Sequence, residues 1–337
     1  MNRLVPAVAL ATAVYGVSAA SAQPPTLSGK TVSMIIASGP GGGFDRWGRT
    51  VARHIGRTLP GKPNVVPQNM PGAGGFIAAN HVYNVAPKDG SAMSIGPAGS
   101  MLGPLMGASN ARFDPTKLTW VGTPAIETPA CIAFNRPKVK VKTYKDLYQN
   151  ELVVGSTGPG GGPHTWPKVL SALLGMKFRI VAGFLSTSNI FLAIERGEID
   201  GICTILDTIL AQRPDWIPGG KATILFHGGG APSPVLKGVP YVGDVTTNPD
   251  DKAAIGLLFA GAALGRPIIA PPGMTADRVR MLQQAFMATM RDAEFLSDAK
   301  KQKLDVELQD GAHLTALIRT IYATPRPIVE KVAKLIK

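Results

Sequence analysis

The same five-residue segment occurs twice in this chain, each time after a run of strand character. Gly39-Pro40-Gly41-Gly42-Gly43 follows the apolar stretch Val32 to Ala37, and Gly158-Pro159-Gly160-Gly161-Gly162 follows Leu152 to Gly155. Glycines between a strand and a helix let the backbone turn tightly and present consecutive N–H groups with no side chain in the way. The next helix adds its own unpaired N–H groups and the positive end of its dipole, so the junction can hold an anion without a charged side chain. Such loops sit at the carboxyl ends of parallel strands, where open α/β sheets bind ligands. One loop of this kind is a common turn. Two, one in each half of the chain, point to two α/β units that present matching loops to one ligand.

The rest of the pattern agrees. Short apolar runs alternate with longer segments of helical spacing, the signature of an α/β protein with largely parallel sheets. After the first glycine loop, Trp47, Val51, Ile55 and Leu59 recur every four residues, while Arg46, Arg49, Arg53 and Arg57 take the other faces. Pro71 to Gly75 reads as a structural turn at a helix start, and Pro87-Lys88-Asp89-Gly90 as a turn before a strand at Ala92 to Gly96. Further strands are expected at Cys131 to Phe134, Leu152 to Gly155, Arg179 to Ala182, Ile199 to Thr204, Ala222 to Phe226 and Ile268 to Pro271. Thr275 is placed to cap a helix running to Arg291, and the tail from Ala312 is helical, interrupted by Pro325 and Pro327. The expected division is a leader over 1–22, a first lobe over 23–125, a second over 126–262, and a return to the first over 263–337.

The leader is read from Arg3, an uncharged stretch from Leu4 to Ala20 and the small residues Ala20-Ser21-Ala22, with cleavage expected after Ala22 and export to the periplasm. Pro6, Thr12, Gly16 and Ser18 make that stretch a poor membrane span. The formal charge is +13, with basic residues scattered, and aromatics make up only 6%. Nucleic-acid binding would call for a clustered basic patch with stacking residues, so it is not expected; steering of anionic solutes fits this charge, as does a merely solvated basic surface. Cys131 and Cys203 both lie in apolar runs. In an oxidising compartment they fit one disulfide, and they equally fit two separately buried thiols.

The enzyme motifs that share glycine-loop chemistry fail on named residues. Neither loop carries the lysine of a P-loop. The dinucleotide pattern G-x-G-x-x-G breaks at Phe44 in the first loop and at Pro163 in the second. There is no G-x-S-x-G elbow, H-E-x-x-H helix or C-x-x-C pair, and the five histidines are too scattered to suggest a metal cluster by spacing. Neither a catalytic centre, a cofactor nor a metal is expected. Asp45, in the first turn of the helix after the first loop, is read as a structural capping carboxylate.

Several segments, taken in order, resemble the substrate-binding receptors of tripartite tricarboxylate transporters, the Bug-type receptors. They are Pro40-Gly41-Gly42-Gly43-Phe44-Asp45, Asn69-Met70-Pro71-Gly72-Ala73-Gly74-Gly75, Ala86-Pro87-Lys88-Asp89-Gly90, the Gly160-to-His164 loop, Gly197-Glu198-Ile199-Asp200 and Ala270-Pro271-Pro272-Gly273-Met274. The resemblance runs through nearly the whole chain after the leader. It implies a two-lobed periplasmic-binding-protein architecture, the type II-like Venus flytrap with its ligand cleft between lobes. It also implies a monomeric receptor that delivers a small carboxylate, such as a di- or tricarboxylate or an aromatic acid, to membrane permease subunits.

Carried over by position, the ligand-binding residues implied are Gly41, Gly42, Gly43, Phe44, Gly99 and Ser100 in the first lobe, and Gly161, Gly162, His164, Thr165 and Thr204 in the second. Three positions depart from the family's pattern: Phe44 replaces a smaller polar residue, Pro163 removes one amide donor, and Thr204 stands where many relatives carry an aspartate. Two other readings remain open on sequence. One is a secreted enzyme using His164 with Asp45 or Asp207 on a phosphorylated or acylated anion; the other is a ligand sensor for a membrane kinase.

Overall fold

The computed structural model describes Met1 and residues 25–159, 161–230 and 233–336. The expected leader with its cleavage point, and Gly160 of the second glycine loop, lie outside the described residues.

The first sheet is built from β1 (Thr31–Ile36), β2 (Asn64–Asn69), β3 (Ala92–Ile95), β4 (Thr119–Thr123), β10 (Ile268–Ala270) and β11 (Gln309–Asp310), in the order β11-β4-β10-β3-β1-β2. The second holds β5 (Pro129–Phe134), β6 (Leu152–Ser156), β7 (Phe178–Ala182), β8 (Gly201–Ile205) and β9 (Ala222–His227), in the order β7-β6-β8-β5-β9. The helices are α1 (Gly43–Thr58), α2 (Phe76–Asn84), α3 (Gly162–Leu174), α4 (Thr187–Arg196), α5 (Leu206–Gln212), α6 (Pro249–Phe259), α7 (Ala276–Met290), α8 (Ala293–Lys301), α9 (Gly311–Tyr322) and α10 (Arg326–Ile336). None of the described helices is long and apolar enough to cross a membrane.

The sheets are mixed rather than uniformly parallel, and the exceptions have a cause. In the first sheet β1 pairs in parallel with β2 and β3, while β10 lies antiparallel between β3 and β4. In the second, β6 pairs in parallel with β7 and β8, while β5 lies antiparallel between β8 and β9. Strands β5 and β10 are the ones the chain enters on crossing from one lobe to the other. The parallel strands run toward the cleft, so a strand arriving from the cleft must run the opposite way. The residues just ahead of these crossing strands, Glu127 and Arg266, are thereby delivered to the floor of the cleft.

Packing follows the sequence pattern. In the first lobe, Trp47, Val51 and Ile55 of α1 and Leu59 at its C-terminal cap are buried with Val32, Met34 and Ile36 of β1 and with Leu282 and Phe286 of α7. In the second lobe, Ile190, Phe191 and Ile194 of α4 pack with Ile132, Ile202 and Trp216. A third core runs through both lobes, joining Phe76 and Leu102 to Trp166, Phe259 and Val332. The final helix α10 packs on α6 and α3, with Lys331 Nζ 2.8 Å from Asp251 Oδ1.

Cys131 and Cys203 face each other on β5 and β8 and are joined by a disulfide. Of the two arrangements left open by the sequence, the bonded one is present.

Candidate ligand-binding site

A cavity lies between the lobes at the carboxyl ends of the parallel strands. Its walls include Ser38 and Phe44 after β1, Gly72, Gly74 and Gly75 after β2, Pro97 and Gly99 after β3, and Thr157, Gly161, Gly162 and Pro163 after β6. Trp166, Leu185, Thr187, Thr204 and Glu127 complete most of the lining. The space open to water centres is about 50 Å3, well above the ~10–15 Å3 that admits a single water. The lobes touch around it. Gly39 N donates to Leu185 O across the cleft at 2.9 Å, and Ser188 Oγ to Gly41 O at 2.6 Å. This is a closed clamp.

The first glycine loop is held in shape by Asp45. This buried carboxylate accepts from Gly41 N at 2.8 Å, Arg49 Nε at 2.8 Å and Asn69 Nδ2 at 2.7 Å. Asn69 also donates to Ser38 O at 2.8 Å, tying the end of β2 to the start of the loop. Asp45 therefore acts as a clasp on the loop, whereas the residue at the N-cap position is Gly42, which has no capping side chain. Gly41, at φ +80°, has both its backbone polar groups engaged, one by Asp45 and one by the opposite lobe. The amides of Gly43 and Phe44 open α1 and have no carbonyl one turn back in the helix.

The second loop offers fewer donors. Gly161 N turns back to Gly158 O at 3.1 Å, and the N–H groups of His164 and Thr165 both bond Gly161 O at 3.0 Å. Pro163 has none, which leaves Gly162 as the described amide at the head of α3 without a helical partner. A third glycine segment faces these two. Gly72, Gly74 and Gly75 all have positive φ, and a side chain on Gly158 would come within 3.1 Å of Gly74 N.

Under the cavity lies a buried ionic cluster. Arg266 bonds Thr208 Oγ1 of α5 at 2.8 Å, and its guanidinium stands 5.2 Å from the centre of the Phe44 ring. Glu127 Oε1 is 3.8 Å from Arg266 Nε, an ionic contact too long for a hydrogen bond, and that oxygen has no hydrogen-bond partner among the described residues. Burial pushes the Glu127 carboxyl up to about 8; Arg266 pulls against this, and Asp207 adds to it. The Asp207 carboxyl is itself raised, first by burial, with Arg266 opposing.

Of the residues expected at the site, Phe44, Gly99, Gly161, Gly162 and Thr204 line the cavity. Gly42 and Gly43 lie just behind it, Gly42 against Ser38 and Gly43 against Thr208 and Arg266. Ser100 is buried with its hydroxyl on Pro97 O. Thr165 donates to Pro159 O and borders a separate outer groove. His164 is half-buried with Nδ1 unpartnered among the described residues, and burial, then Lys168, lower its pKa. Sequence reading did not place Glu127, Thr157, Thr187 or Leu185 here, and it took the Gly72–Gly75 segment only as a turn. The one signal for Glu127 was a lone carboxylate in the apolar passage between Pro124 and Pro129.

One group with metal-ligand spacing stands elsewhere among the described residues: His54, Asp292 and Glu294, with ligand atoms within 4.8 Å of one another. Arg57 pairs with both acids, so their charge is already met.

No protein-family model and no curated protein matches the chain. Solved structures match in fold. A periplasmic transporter superposes with TM-score 0.68 at 21% identity, over 91% of this chain and 97% of its own. The periplasmic binding protein BugD gives 0.67 at 20%, over 90% and 96%. MatC from Rhodopseudomonas palustris with bound malate gives 0.68 at 18%, over 90% and 98%. The chain has the two-lobed architecture of these periplasmic binding proteins.

Proposed function

We propose that the protein is an exported solute receptor of the Bug type that closes its lobes on a small organic carboxylate and hands it to membrane permease subunits. The observation that carries this is the convergence on one interlobe cavity of Ser38 and Phe44, which flank the first glycine loop, of Gly72, Gly74 and Gly75, of Gly161 and Gly162, and of Thr157, Thr187 and Thr204. Among the described residues no Lys or Arg lines that cavity. A small anion there is held by amide and hydroxyl donors, each charge-assisted bond contributing ~1.5–3 kcal/mol against desolvation. Donors from both lobes make the closed form the one the ligand favours. The structures of MatC with bound malate and of an R. palustris protein with adipate support the ligand class. On this reading the chain performs no reaction and works as a periplasmic monomer.

The test is a thermal-shift screen of mono-, di- and tricarboxylates, amino acids, aromatic acids and phosphate esters. A binder at a hundred times its dissociation constant adds ~2.7 kcal/mol of stability. A carboxylate giving a saturable shift is the expected result. Shifts confined to phosphate esters that are then consumed would replace this reading with the enzyme one.

A further inference from the structure

An ionised carboxylate in the wall of an anion site repels the ligand, and among the described residues Glu127 is the only acidic side chain lining this cavity. It is 4% exposed, and no described group hydrogen-bonds its Oε1. Arg266 does not supply that bond. One terminal nitrogen is spent on Thr208, the other lies against Gly43, and Nε stops 3.8 Å short of Glu127.

We propose that Glu127 contacts the bound carboxylate as a neutral acid, donating its proton in a hydrogen bond, so that the site takes up an anion together with a proton and disfavours an ammonium group at that wall. The inference rests on the carboxylate-receptor reading and specifies its ligand class: organic acids with an oxygen, not an ammonium, against Glu127. A buried carboxylate without hydrogen bonds is costly to keep charged, whereas the acid form carries its own donor. The charged neighbours are Arg266 ahead of β10, which favours ionisation, and Asp207 on α5, which opposes it. Behind these, Arg46 on α1 faces Arg266, and Asp305 and Glu307 face Asp207. Burial outweighs the arginine, consistent with a carboxyl raised to about 8. An incoming carboxylate raises it further and retains the proton; an ammonium would drive the proton off.

Calorimetric titrations with malate and with adipate, at pH 7, 8 and 9 in two buffers of different ionisation enthalpy, test this on the full chain. With a carboxyl near 8 in the closed cleft before the ligand enters, binding at pH 8 takes up about half a proton, and affinity falls about tenfold from pH 7 to pH 9. In Glu127→Gln both effects disappear. Proton release, absence of proton exchange in the wild type, or an unchanged pH profile in Glu127→Gln would each overturn the proposal. If that variant fails to fold, the wild-type proton count and the carbon-13 signal of the Glu127 carboxyl decide alone. Failure of every organic acid in the screen to bind removes the receptor reading and this inference together; binding without proton uptake removes this inference only.

Discussion

Gly43 is where the first loop meets the opposite lobe, and adding one methyl group there tests clamp closure directly. An ideal Cβ on Gly43 would lie 2.5 Å from Thr208 Oγ1, 3.2 Å from Thr208 Cγ2 and 2.7 Å from a terminal nitrogen of Arg266. All three atoms are buried; Thr208 belongs to α5 of the second lobe, so the two contacts with it exist only when the lobes are together, while the Arg266 end, on the first lobe's own return segment, must shift aside in either state. Overpacking of this kind costs ~1–3 kcal/mol. Charged to the closed state alone, that is a loss of affinity of roughly 5- to 150-fold at ~1.4 kcal/mol per decade. The ligand-free protein, free to open, keeps its melting temperature, since alanine is if anything the better helix residue. Calorimetry gives the affinity of Gly43→Ala and a thermal melt gives its stability. Thr208→Ala in the same chain removes part of the clash and restores part of the affinity. Affinity within twofold of wild type, or a ligand-free melting temperature lowered by as much as the binding, would refute the reasoning.

Three further outcomes are expected. Asp45→Ala leaves Gly41 N, Asn69 and Arg49 without their shared acceptor and lowers stability by ~2–3 kcal/mol; a chemical-denaturation midpoint equal to wild type would contradict the clasp. Replacing Cys131 and Cys203 together by alanine opens a loop of 72 residues and costs roughly 4 kcal/mol by chain entropy, read as a lowered melting temperature that reductant reproduces in the wild type. Glu127 gives a pH dependence of stability. Its folded value, about 8, lies above the ordinary 4.5, so the native state holds a proton that the unfolded chain has lost. Its contribution is therefore most favourable below about 4.5, declines as pH rises through that interval, and is fully lost above about 8. Melts of wild type and Glu127→Gln between pH 5 and 8 should diverge in the variant's favour as pH rises; parallel curves would remove Glu127 as the cause.

Much of this architecture was legible because each element carries its own signal. The four-residue spacing of Trp47, Val51, Ile55 and Leu59 gave α1, and the glycine runs marked where strands hand over to helices at the cleft. What escaped depended on partners far away in sequence. Strand β2 contains Pro67 and polar residues, which breaks a strand pattern, yet it pairs only with β1 at the edge of its sheet, where proline is tolerated. The direction of β5 and β10 is set by the crossing between lobes, which no local pattern records. Glu127 looks like an ordinary acid until the crossing places it in the cavity wall beside Arg266. The Gly72–Gly75 segment reads as a turn, and is one; it meets the second lobe only when the clamp is shut. Gly41 has the opposite history, since composition marks it as an amide donor while Asp45 occupies that amide.

The central claim is that two lobes close on one small carboxylate. Small-angle scattering of the protein alone and with a saturating amount of the carboxylate giving the largest thermal shift measures this most directly. The radius of gyration is expected to be smaller with ligand, and the bound profile to match the closed structure, with Gly39 against Leu185 and Ser188 against Gly41. Superimposable profiles at demonstrated saturation would contradict it.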